Sequence, residues 1–137
     1  MNAAPRPRAA VTPRQMLLVA AGAVPGAWLR WQCGLWLGPW LGGSAGADLV
    51  VNLLGSLVLG VLVGSLPRRS GLLLFAGIGF CGSLTTFSSW LLAVAERLRS
   101  PRPREGVALL VASLGLGLLA AWLGLRWAGM RHHRSRP

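Results

Sequence analysis

Acidic residues are nearly absent from this chain. Only Asp48, Glu96 and Glu105 carry carboxylates among 137 residues, and none lies between Asp48 and Glu96. That argues against a carboxylate-lined cation path or a proton relay through the middle of the chain. Lysine is missing as well: all fourteen basic residues are arginine. Charged residues make up 12% of the chain, about half the share usual in a soluble domain. The two cysteines, Cys33 and Cys81, both fall inside apolar runs. Buried free cysteine packs there as a small hydrophobe, and neither a disulfide nor a zinc spacing is suggested. The histidines, His132 and His133, lie in a basic tail. With no nucleophile–base pair and no metal cluster, the sequence argues against an enzyme.

What fills the chain is apolar: 53% of residues are hydrophobic. The formal charge of +11 raises nucleic acid as a partner. The arginines, however, flank apolar runs instead of forming a face, so they read as loop and headgroup charges beside a lipid bilayer. Four runs are long enough to cross a membrane, over about residues 15–37, 47–66, 71–97 and 106–127. Residues 1–14 read as a disordered basic lead-in and 128–137 as a basic tail. The first run holds Gly22 and Gly26, a small-residue pair at spacing four that admits a close helix neighbour, with Pro25 between them. Trp28, Trp31, Trp36 and Trp40 gather around its far end, where interfacial tryptophans belong. Arg30 nearby has two readings, a snorkelling side chain or a vestibule cation. In the second run Asn52 shares a face with Gly55 and Ser56, and Gly60 and Gly64 continue a packing stripe. Asn52 is either interhelical glue or a donor to an anion.

The third run is the anomaly. At about 27 residues it exceeds the ~20 needed to cross, and its centre, residues 77–90, reads Gly-Ile-Gly-Phe-Cys-Gly-Ser-Leu-Thr-Thr-Phe-Ser-Ser-Trp. Polar groups at mid-membrane are costly. Glycines followed by hydroxyls predict a helix broken near its middle, tolerated only where it is buried in protein or faces a wet cavity. Such a break offers carbonyls to a cation and N–H groups and hydroxyls to an anion. Ser83, Thr85, Thr86, Ser88 and Ser89 supply the hydroxyls. Phe87 and Trp90, three apart, present ring edges on one face. The plainer alternative is that the hydroxyls bond back to their own helix and the rings pack.

Residues 82–90 resemble the G-G-x-T-T-F-S-T-F signature of the Fluc/CrcB fluoride channels. Gly26-Ala27 with Arg30 resembles that family's G-A-x-x-R, and residues 51–56 its v-N-x-x-G-s. The resemblance spans about residues 15–127. It implies an all-α membrane protein of four transmembrane helices, working as an antiparallel dimer with two fluoride pathways. It further implies a structural sodium ion at the dimer centre, held by the backbone carbonyls of Gly82 and Thr85. Asn52, Thr86, Phe87, Ser88, Ser89 and Trp90 would line the fluoride path, with Arg30 near a vestibule. The implied function is passive export of toxic fluoride across a bacterial inner membrane. The chain departs from the signature at Ser83, in place of a glycine, and at Trp90, in place of a phenylalanine. It has Ala93 where the family often has glutamate, and it has no tyrosine.

Arginine counts fix an orientation. Nine lie with the two ends and the second-to-third turn, and four with the third-to-fourth loop. The positive-inside rule puts both termini in the cytoplasm. The resemblance allows an antiparallel homodimer or a heterodimer, and this bias suits a subunit of fixed orientation paired with an oppositely oriented paralogue. The competing readings are a small four-helix multidrug exporter, which lacks its membrane carboxylate here, and a non-conducting membrane scaffold.

Overall fold

The computed structural model describes residues 11–68 and 70–134, the last four by their backbone alone. The lead-in over residues 1–10 lies outside the described residues. Helix α1 runs Pro13–Leu37 and α2 runs Ser44–Ser65. Next come the π-helical α3, Leu73–Cys81, and an α-helical turn, Gly82–Leu84. Helix α4 spans Ser88–Leu98, and α5 spans Pro103–Arg134. The start of α1 is set by a reciprocal cap: Thr12 and Gln15 bond each other's backbone, with proline at the first helical position. Helix α1 thus begins two residues ahead of the apolar run, and it passes through Pro25 without interruption. The turn into α2 needs Gly42 and Gly43, whose φ values of 75° and 108° suit only glycine. The end of α2 is set by Leu66, which goes extended before Pro67. Residues 128–134, read above as tail, continue α5.

Among the described residues, three segments are long and apolar enough to cross a membrane: Ser44–Ser65, Leu73–Leu98 and Pro103–Met130. Helix α1 falls short on apolarity, because Arg30, Gln32 and its tryptophans dilute the run.

Glycines decide which helices touch. A Cβ on Gly22 would strike the carbonyl of Phe75, one on Gly79 the carbonyl of Val19, and one on Gly26 the hydroxyl of Ser83. Helices α1 and α3 therefore meet backbone to backbone. Higher residues of α1 meet higher residues of α3, so the two run the same way. The Gly60 position similarly abuts the carbonyl of Ala121, and that of Gly124 the carbonyl of Leu57. Helices α2 and α5 also run the same way, in the close approach that small residues permit. Parallel α1 and α3, and parallel α2 and α5, are what four alternating crossings of one bilayer would give.

The core between them is narrow: Ala47, Val51, Leu73, Cys81, Leu84, Trp90, Val94 and Ala128 are buried. Long apolar side chains such as Leu17, Val24, Leu118 and Trp36 point outward. That arrangement suits a hydrocarbon solvent, in which outward leucine costs nothing.

Candidate functional site

The third span stops being helical at Thr85, which is extended at ψ 145°, and becomes helical again at Ser88. The non-helical residues are thus Thr85, Thr86 and Phe87, while Gly82–Leu84 keeps an α-turn. This places the irregular backbone later than the glycines alone suggest. Gly82 is helical because nothing forces it otherwise: a Cβ there would meet open space.

Asn52 holds the non-helical residues. Its Nδ2 donates to the carbonyl of Thr86 at 2.9 Å, and its Oδ1 accepts from the N–H of Thr86 at 2.7 Å. One side-chain amide replaces both backbone bonds that the lost helical turn denies Thr86. In hydrocarbon an unpaired backbone group costs several kcal/mol, so this pairing lets the irregular segment exist. It also frees others. The N–H of Thr86 would normally serve the carbonyl of Gly82, four residues back. Among the described residues, no backbone N–H donates to the carbonyls of Gly82 or Thr85.

The hydroxyls divide into two sets. Thr85 donates back to the carbonyl of Cys81 at 3.0 Å, and Ser83 donates to the carbonyl of Ala23 in α1 at 2.8 Å. Ser83 thus ties its span to α1 and Thr85 bonds back within its own span, and neither has a hydrogen left for a ligand. The Ser83 bond explains why Gly26 must lack a Cβ. Thr86 and Ser89 share one hydrogen bond of 3.0 Å, so one of their two hydrogens remains free. Ser88 is exposed.

Trp90 is only 2% exposed, and its Nε1 donates to Ser113 of α5 at 2.7 Å. The indole is therefore a strut between α4 and α5. Because Ser113 accepts, its own hydrogen is free. Phe87, by contrast, is 63% exposed, with its ring centroid 5.3 Å from that of Trp90 at an angle of 51°. Ser113→Ala should leave the indole N–H buried and unpaired, at a cost of about 1–3 kcal/mol. Removing the donor as well, in Trp90→Phe/Ser113→Ala, should cost less than the sum of the single changes. A double-mutant cycle on denaturant unfolding in detergent reads this coupling. Additive losses would mean the bond is idle.

These groups converge on one cavity of about 330 Å³. Asn52, Ser56, Thr85, Thr86, Phe87, Trp90 and Ser113 line it, with Leu59, Leu114, Gly117, Leu118 and Ala121 as the apolar remainder. Ser88, Ser89 and Arg30, expected along the path or its mouth, are not in its lining. Among the described residues, Arg30 Nε is buried with no partner, and so is Oδ2 of Asp48, a residue 7% exposed. Ser113 was missed by reading the sequence, although it is the first polar residue of α5 beyond its opening turn and lies on a small-residue stripe.

Fold and site define a class: a helical membrane protein whose polar groups gather at an interrupted span. Comparison narrows it. Residues 17–125 match the model of the CrcB-like family, described as CrcB-like protein, camphor resistance. The chain is 51% identical over 112 residues to "Fluoride-specific ion channel FluC 2" of Synechococcus sp. (strain CC9605), covering 80% of this chain and 77% of the relative. It is 45% identical over 130 residues to the FluC 2 of Synechococcus sp. (strain CC9902), covering 90% of each. A FluC of Haemophilus ducreyi is 42% identical over 110 residues, with 80% of this chain and 88% of the relative aligned. The chain belongs to the CrcB-like family, a family of ion channels and not of enzymes.

Proposed function

We propose that this chain is a subunit of a fluoride-selective channel that lets fluoride leave the cytoplasm passively. The observation that carries this is the cavity at the interrupted third span, taken with relatives named as fluoride-specific channels. Fluoride is small and tightly hydrated, so a path must replace its water with several close donors. The cavity has spare ones. Asn52 keeps one amide hydrogen after bonding Thr86. The Thr86–Ser89 pair keeps one hydrogen, and Ser113 keeps its own. Ser56 has no partner among the described residues. Beside them the edge of Phe87 offers a weak positive field that attracts an anion without trapping it. No cationic side chain lines the cavity, which favours conduction over tight binding. An inside-negative membrane potential drives an anion outward, so export needs no other energy source.

The carbonyls of Gly82 and Thr85, without backbone donors, suit a small hard cation. In this reading they hold a structural sodium ion, which supplies fixed positive charge near the path and is not transported. A single chain offers few such carbonyls, which favours an antiparallel dimer that doubles them. The nine-to-four arginine bias supports a partner of opposite orientation, in a bacterial inner membrane with both termini cytoplasmic. Synechococcus sp. (strain CC9902) has relatives named both FluC 1 and FluC 2.

The test is ion efflux from liposomes containing the purified chain, alone and with an oppositely biased paralogue, with and without sodium. Fluoride should leave and chloride should not. The single chain should be slow, with co-reconstitution raising flux by about tenfold or more. Comparable chloride leakage would defeat the assignment, and rapid flux from the single chain would make the pair a homodimer.

A further inference from the structure

A second hollow lies away from the interrupted span, where the first turns of α1 meet α3. It holds about 490 Å³ and is lined by Val11, Gln15, Met16, Val19, Ala20, Leu74 and Ile78. Gln15 is the one polar residue among them, and its side-chain oxygen is occupied by the backbone of Thr12. Val11, Met16 and Ile78 are each more than half exposed, so the hollow opens outward from the bundle. It offers no polar chemistry of its own, and an apolar chain fits it.

Charge at this end of the bundle selects among apolar occupants. Arg14 sits in the first turn of α1, beside Gln15. Arg68 lies in the turn leading to α3, and this turn is held close to α1, since the position of Gly71 contacts Leu18. Neither arginine has an acidic partner among the described residues, where the one ion pair joins Arg102 to Glu105. All three carboxylates of the chain belong to the opposite half of the bundle: Asp48 near the start of α2, Glu96 near the end of α4 and Glu105 at the start of α5. The end beside the groove is therefore positive without compensation. Basic recesses between membrane helices recruit acidic lipid headgroups, and arginine binds phosphate through paired, charge-assisted hydrogen bonds.

We propose that this groove seats an acyl chain of an anionic phospholipid, with its phosphate at Arg14 and Arg68. The occupant is a lipid and not free phosphate, because the lining is almost wholly apolar and holds no charged residue, the arginines lying at the same end of the bundle. The site is independent of the ion pathway.

The experiment is native mass spectrometry of the full-length protein, equilibrated in detergent with equal phosphatidylglycerol and phosphatidylcholine of identical acyl chains. Wild type should retain the glycerol lipid preferentially. Arg14→Gln or Arg68→Gln should each cut that preference by about fivefold, the worth of one arginine near a charged headgroup. Ala20→Trp, which fills the groove, and Met16→Gln, which makes it polar, should lower retention of both lipids, with melting temperature checked to confirm folding. Added inorganic phosphate should not compete. Equal retention of the two lipids would overturn the proposal. So would retention that neither Ala20→Trp nor Met16→Gln reduces.

Discussion

Asn52→Leu is expected to destabilise the third span's central segment and to abolish ion flux. The substitute has a similar volume but no hydrogen-bonding groups. The N–H and C=O of Thr86, paired now at 2.7 and 2.9 Å, would both lose their partner. Each unpaired group costs about 1–3 kcal/mol, so the loss should be about 2–6 kcal/mol. The segment has one local escape: the Thr86 N–H can return to the carbonyl of Gly82 by winding another helical turn. That would close the extended residues and remove both the cavity and the freed carbonyls. Asn52→Asp separates the effects. It keeps an acceptor for the N–H but sets a carboxylate oxygen against the Thr86 carbonyl, so it should fall between wild type and leucine. Denaturant unfolding in detergent, read alongside fluoride efflux, tests the order. Wild-type stability in Asn52→Leu would show that the clamp is dispensable.

Gly60→Ala should cost about 3 kcal/mol, because the added methyl meets the carbonyl of Ala121, a backbone atom that cannot rotate aside. Gly115→Ala, on the facing helix and meeting nothing within 4 Å, should be neutral or stabilise by up to about 1 kcal/mol through helix propensity. The two substitutions are chemically identical and differ only in what faces them. Thermal melting of both variants in one detergent decides the matter. Equal effects would mean that α2 and α5 are not seated as closely as their glycines require.

Much of this arrangement is legible in the residues. Apolar runs place the spans to within a few residues, and glycines at spacing four name the surfaces where helices touch. The motif residues also identify Asn52, Thr86 and Phe87 as neighbours, which the fold brings to one cavity. What the sequence withholds is direction. Five hydroxyls within seven residues look like five donors, yet Ser83 and Thr85 turn to nearby carbonyls. A hydroxyl's partner depends on a rotamer and on which carbonyl lies within 3 Å, and neither is written in composition. Asn52 had two readings, and the structure uses it as glue with one hydrogen to spare. Trp90, expected along the path, lines the cavity and is also a strut, because Ser113 stands 23 residues away to receive its N–H. Periodicity says nothing about such a distant pairing. The ends of α1 and α5 exceed the apolar runs because capping and helix propensity extend helices beyond the hydrocarbon.

The π-helical winding of Leu73–Cys81 has a consequence for how this span tolerates changes in length. Each bond there reaches five residues back instead of four, so the stretch holds more residues than an α-helix would over the same rise. It behaves as a slack coil upstream of Thr86. Loss of one residue within it can be absorbed by tightening toward ordinary winding, without dragging Thr86 from Asn52. The same loss between Gly82 and Ser88 has no such reserve and would misalign the clamp outright. Sequence drift in this span is thus cushioned on one side of the interruption and unforgiving on the other.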